Sequence, residues 1–225
     1  MINVNSLYIR VKDLSQKNRA GYFSVDEYNR HLRDAQNLLF EYYAEEFEEE
    51  KEIGDNLRPF IVSVTLPITD YFCTMPADYR HKIDLGYRLV LNDENCGVNP
   101  SANIYPIQFY KSEEWINAQS SPIRKGNLAK KLFNCRFVNG KIEVSEKFGN
   151  VEFVYLRNPA NAVMGYTVNS TTLEEVYDAS TSVQSEFLEQ DETNLSDIIL
   201  FLLGIQIRES ALLQFVDSKR KILKD

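Results

Sequence analysis

Leu132 to Ser145 reads LFNCRFVNGKIEVS. Two runs rich in β-branched and aromatic residues flank the dipeptide Asn139-Gly140. Asn-Gly tolerates the positive φ angles that a two-residue type I′ turn demands, so the stretch is a β-hairpin. Val151 to Arg157, VEFVYLR, supplies a third strand, and Asn158-Pro159 stops it because proline cannot donate to a ladder. Upstream, IVSVTLP from Ile61 has the alternation of a half-buried strand. YFCTMP and KIDLGYRLVL read the same way. Pro100 to Pro106 reads as loop, and SEEWINAQS as a short helix with Ser112 as its cap and Trp115 as its anchor. AVMGYTV and EEVYDAS are candidates to extend the sheet.

Helical periodicity brackets this β-rich region. Val4, Leu7, Tyr8, Val11 and Leu14 recur at helical spacing. Ser24 stands three residues before Glu27, a capping box. From there Val25, Tyr28, Leu32, Ala35, Leu39 and Tyr42 alternate spacings of three and four, which marks one face packed on another helix. Glutamates crowd the end of that helix, and Gly54, Asp55 and Pro59 break it. Helix returns with Asn194 as cap and Asp197 in the first turn, and is expected to run to about Ser218 or into the basic tail KRKILKD. The expected fold is therefore α+β. Terminal helices, residues 1–60 and 190–225, form a helical bundle, and residues 61–189 form an inserted, mainly antiparallel β module.

SDIILFLLGIQIRESALLQF, Ser196 to Phe215, is too short in its apolar part to span a bilayer. Ile198 to Ile205 has no polar face and needs cover on all sides, so it is expected to be core. Arg208, Glu209 and Ser210 restore a polar face. That leaves Leu212, Leu213 and Phe215 as a narrow apolar strip, the expected subunit or portal contact. The aromatics of LLFEYYAEEF surround their helix, so they divide between core and subunit contact.

The 225 residues carry a net charge of −8, which opposes attraction to nucleic-acid phosphates through the overall field. Cys73, Cys96 and Cys135 are far apart and odd in number, which argues for a reducing compartment and against a disulfide framework. The N-terminus lacks an apolar signal-peptide stretch. No segment reads as transmembrane. The expectation is a soluble protein made in a cytoplasm, with no membrane partner. Motifs for nucleotide binding, zinc proteolysis or a serine nucleophile are missing. His31 has no histidine or cysteine one helical turn away. His81 lies between Asp78 and Asp84, an acid–base or metal cluster in outline, though a polar turn after Met75-Pro76 is the plainer reading. The chain is read as a non-enzyme without metal or cofactor. A hydrolase using carboxylates around Asp78 and Asp84 is the least favoured alternative. The run Glu45, Glu46, Glu48, Glu49 and Glu50 is either a solvated helix end or a negative surface past which DNA slides without sticking.

Five pieces in order carry a resemblance: YFSVDEYNRHLRDAQNLLFEYY, LRPFI, MPADYRHKIDL, VEFVYLRNPA and DIILFLLGIQIRES. Together they resemble the structural proteins of crAss-like and related Bacteroidetes phages. The asparagine of the first motif is Asn29 here. The chain departs from the family at AVMGY, where a tryptophan often follows the YLRxP strand. The resemblance implies a head-to-tail connector, or adaptor, in the virion neck below the portal. It implies a dodecameric homo-oligomeric ring around the DNA channel, contacts with the portal and other neck proteins, and a C-terminal portal contact. Another tail or neck protein of the virion is the alternative within that class.

Overall fold

The computed structural model describes residues 1–17, 23–50, 55–89, 103–127, 129–147 and 149–204. The chain divides into two compact units, residues 60–158 and residues 1–59 with 159–225.

The first unit is a sheet. Its strands are β1 (Ile61–Pro67), β2 (Phe72–Thr74), β3 (Tyr79–Leu89), β4 (Asn103–Phe109), β5 (Phe133–Val138), β6 (Lys141–Val144) and β7 (Asn150–Arg157). They lie in the order β1-β7-β3-β4-β5-β6-β2. Asp70 and Tyr71, both at positive φ, make the tight turn that leads β1 into β2, closed by paired hydrogen bonds between Thr69 and Phe72. These consecutive strands are the two edges of the sheet, so the turn draws the edges together into a nearly closed barrel. Side chains from all seven strands fill the interior. Cys73, Leu85, Cys135, Ile142, Val144, Val151, Phe153 and Tyr155 are its buried members, and Val62, Val64, Leu66 and Ile107 pack on them. Asn139 (φ 49°) and Gly140 (φ 69°) form the type I′ turn between β5 and β6, as the dipeptide predicts.

One pair, β4 with β5, is parallel. Parallel neighbours need a crossover, commonly a helix. Here it contains the third α-helix in chain order, α3 (Ser112–Ser120), anchored by buried Trp115. Its cap position is Lys111 rather than Ser112. β4 begins inside Pro100 to Pro106, the segment expected to be loop. Pro106 is tolerated because pairing to β5 begins only at Ile107, so at the proline the strand has a partner on one side.

The second unit holds α1 (Val4–Lys17), α2 (Val25–Glu50) and α4 (Glu192–Leu202). Val4, Leu7 and Val11 of α1 and Val25, Tyr28, Leu32, Ala35 and Leu39 of α2 are all fully buried, the faces that their spacing marks. The α2 capping box is formed in both directions. Ser24 N–H donates to Glu27 Oε2 (3.1 Å), and Glu27 N–H donates to Ser24 Oγ (3.2 Å). α4 packs on both α1 and α2.

The expectation of a terminal helical bundle with an inserted β module is corrected by this arrangement. The structure is α+β, but the nearly closed seven-stranded mixed sheet dominates it. Among the described residues there are only four α-helices, and α3 and α4 are short, with nine and eleven residues. Two physical reasons stand out. The last described helix is short: α4 stops at Leu202, and Gly204 takes the left-handed conformation (φ 73°), its N–H donating to Phe201 O; the expected continuation to about Ser218 lies outside the described residues. The helix begins at Glu192, so Asn194 lies inside it and does not cap it. Furthermore, residues 159–188 join the helices and not the sheet. β8 (Tyr166–Val168) and β9 (Glu175–Tyr177) form their own two-stranded ribbon.

Polar side chains hold that extended segment. Asn29 clamps Met164 through both backbone groups, donating to its carbonyl (3.0 Å) and accepting from its N–H (2.8 Å). Gln36, buried, accepts from Ala162 N–H (3.0 Å) and donates to Ser185 Oγ (3.1 Å). Ile2 and Ser185 exchange backbone hydrogen bonds. No helix among the described residues is long and apolar enough to cross a membrane.

Candidate functional site

The acidic run closes α2. Glu45 and Glu46 are exposed, and Glu48, Glu49 and Glu50 continue the helix, their side chains lying outside the described residues. Negative charge at a helix C-terminus opposes the macrodipole, so this end gains nothing locally from its glutamates. Burial, and then the charge of Glu46, raise the Tyr42 pKa. The aromatics before the run divide: Phe40 and Tyr43 are buried, while Tyr42 and Phe47 are half-buried. Leu212, Leu213 and Phe215 lie outside the described residues. In the preceding apolar run, Leu195, Ile199 and Leu200 are fully buried, but Phe201 is 45% exposed and Leu202 half-buried. The run is thus covered on part of its circumference within its own chain.

The residues around His81 form a joint. Tyr155 on β7 donates its hydroxyl to Asp78 Oδ1 (2.9 Å), and Asn158 N–H donates to Asp78 O (2.7 Å). Arg80 in turn donates to Asn158 Oδ1 (3.0 Å). MPADYR and VYLRNP, distant in sequence, therefore bind each other where the chain leaves this unit. Burial, and then the bond to Asp78, push the Tyr155 pKa up to about 12. Asp84 is exposed, with its carboxylate accepting from Leu85 N–H (2.8 Å). His81 lies on β3, half-buried, opposite Leu156, rather than in a turn. Among the described residues no group of three or more His, Cys, Asp or Glu is placed to hold a metal ion.

Two of the cysteines face the barrel interior. Burial pushes Cys73 up to about 11 and Cys135 up to about 12. Both are neutral thiols near pH 7, packed as small hydrophobes. Cys96 lies outside the described residues.

A further surface emerges that the sequence reading passed over. Between α3 and β5, residues 121–131 carry Arg124, Lys125, Lys130 and Lys131 and no acidic residue. All four cations are exposed, and Ile123 is 82% exposed. The loop is built onto the sheet. Buried Asn134 on β5 donates through Nδ2 to Arg124 O (2.6 Å). Asn127 and Leu132 exchange backbone hydrogen bonds, and Lys125 N–H donates to Ser121 O (2.9 Å). Gly126 lies so close to Ser145 that a Cβ there would fall on the hydroxyl. Lys131 sits over the Tyr105 ring, 4.9 Å from its centroid. The signal was present in the sequence: Glu114 and Glu143 are consecutive acidic residues, and the interval holds six cations. It went unread because these residues fall between regular elements.

Comparison with protein-family models and with curated proteins finds no match for this chain.

Proposed function

We propose that the chain is a structural component of a phage virion, a head-to-tail connector or ring protein below the portal that forms part of the DNA channel. The observation that carries this reading is the work done by the residues behind the phage resemblance. LRPF spans one crossing between the two units, at Pro59 and Phe60, and VYLRNPA spans the other, at Asn158 and Pro159. Asp78 and Arg80 of MPADYR fasten the second crossing. The remaining two pieces build the buried faces of α2 and α4. The shared residues are thus joints and core, as suits a protein whose task is to hold a shape.

In this reading the chain forms a dodecameric homo-oligomer, bound to the portal and to other neck proteins. Leu212, Leu213 and Phe215 supply a docking strip. The exposed glutamates of α2 present DNA with its own sign of charge, so DNA passes without specific binding. Quantitative mass spectrometry of purified particles tests the assignment. Copy number equal to that of the portal is expected, and absence from the particles overturns it. Lysine at positions 45, 46, 48, 49 and 50 is expected to slow DNA ejection, less so as salt is added. An unchanged rate at low salt would return the run to a plain solvated helix end.

A further inference from the structure

We infer that the loop 121–131 is a docking site for the C-terminal end of α2 in a second copy of this chain, with Arg124, Lys125 and Lys130 facing Glu45 and Glu46. The inference rests on the homo-oligomeric reading above and adds to it the two surfaces that meet.

Charge complementarity is the first argument. The loop carries four cations and no acid, while residues 45–52 carry six glutamates and one lysine. No ion pair engages Arg124, Lys125, Lys130 or Lys131 among the described residues. Opposed patches of this kind steer encounter and fix register. The second argument is apolar content. Ile123, 82% exposed behind Pro122, stands among the cations, an apolar anchor within a polar rim.

The third argument is preorganisation. Asn134 is fully buried and directs its amide N–H at the carbonyl of Arg124. Paired backbone hydrogen bonds between Asn127 and Leu132 and the close contact of Gly126 with Ser145 hold further points of the loop. A loop already fixed in shape loses little conformational entropy on docking. Nucleic acid is the weaker occupant, because the chain's net charge of −8 repels it at long range.

The two surfaces are different parts of the chain, so their contact is heterologous. Heterologous contacts close into rings when the rotation permits. In this arrangement Glu45 and Glu46 belong to the contact, and the channel-facing role falls to the rest of the run.

Two charge-reversed full-length chains test the contact. One carries Arg124→Glu, Lys125→Glu and Lys130→Glu, the other Glu45→Lys, Glu46→Lys and Glu49→Lys. Association is read by light scattering and mass photometry at low and high salt, with circular dichroism to check folding. Wild type is expected to self-associate, and each variant alone to do so at least about tenfold more weakly, since several ion pairs become repulsive. Mixed together, the variants are expected to co-assemble, because each offers the other a complementary surface. Variants that associate as tightly as wild type, or a mixture that fails to co-assemble, overturn the contact while leaving the homo-oligomer in place. A wild-type chain that stays monomeric removes the homo-oligomer and the contact with it. Unchanged self-association of the loop variant, together with lost binding to a labelled DNA duplex, assigns the loop to nucleic acid and overturns the proposal.

Discussion

The two units of this chain solve the same packing problem with different chemistry. Residues 60–158 curl a sheet around an apolar interior in which Phe153 lies 5.0 Å from Tyr155 and 5.5 Å from Tyr79, and elsewhere in the unit Tyr87 stacks on Phe133 at 3.8 Å between centroids. The other unit packs three helices by apolar faces but fastens residues 159–188 with side-chain amides from α2. Where backbone pairs with backbone, side chains are free to be apolar. Where an extended chain lies on helices, its N–H and C=O groups need side-chain partners, because a buried unpaired backbone group is expensive. Asn29 and Gln36 are therefore structural residues, although their polarity would suggest a binding site.

The sharpest way to break that comparison is in the barrel. Phe153→Ala removes a fully buried ring from a closed interior and is expected to cost about 3–5 kcal/mol. Equilibrium denaturation reads the loss, and a value under about 1 kcal/mol would mean that the interior is loosely filled. Next comes the polar fastening. Gln36→Ala leaves the Ala162 N–H without its acceptor, at an expected cost of about 1–3 kcal/mol. Hydrogen exchange should accelerate at Ala162 and Ser185 and stay unchanged in β3 and β7. Equal acceleration in those strands would show that the clamp is not local to its unit.

Smaller effects sharpen the picture at the helix ends. Ser24→Ala removes half of the α2 capping box and is expected to cost about 1 kcal/mol, read from the thermal midpoint. Asp191 supplies a dependence on pH. It is buried, accepts from the Tyr43 hydroxyl (2.6 Å), and its pKa is raised, chiefly by burial. A carboxyl whose folded pKa exceeds its unfolded value favours folding least when ionised. Its contribution to stability therefore falls as pH rises from the ordinary carboxylate range through the raised folded value. Asp191→Asn keeps an acceptor for Tyr43 and is expected to flatten that fall, matching wild type in acid and equalling or slightly exceeding it near neutrality. A variant that loses stability as pH rises just as wild type does would place the titration elsewhere.

Local chemistry made some of the fold legible and left the rest dark. Asn139-Gly140 and Ser24 with Glu27 act within four residues, and the structure forms both as the sequence predicts. Pro106 misled because its tolerance depends on where β5 begins to pair, a fact of register. Near-closure of the sheet was invisible for a related reason: it requires knowing that β1 and β2, adjacent in sequence, are opposite edges. The apolar pattern pointed to helix continuing through Gly204, but that glycine takes the left-handed conformation and α4 ends at Leu202; the rest of the expected helix, 205–218, lies outside the described residues. Residues 159–188 show strand-like alternation, but their partners lie on α2, more than a hundred residues away. Of the site, the acidic run was plain as a block of one charge. The basic loop was not, since its cations are scattered through irregular chain, and the anchoring of Arg124 O by buried Asn134 is a tertiary contact.

The central claim is that this chain is built to hold a ring in a virion neck. Electron microscopy of purified particles, with focused reconstruction of the neck, tests it most directly. The account predicts a twelvefold ring below the portal whose subunits each fit a nearly closed seven-stranded sheet and a separate helical unit. Density for those units at another place in the particle, or in none of its rings, would contradict it.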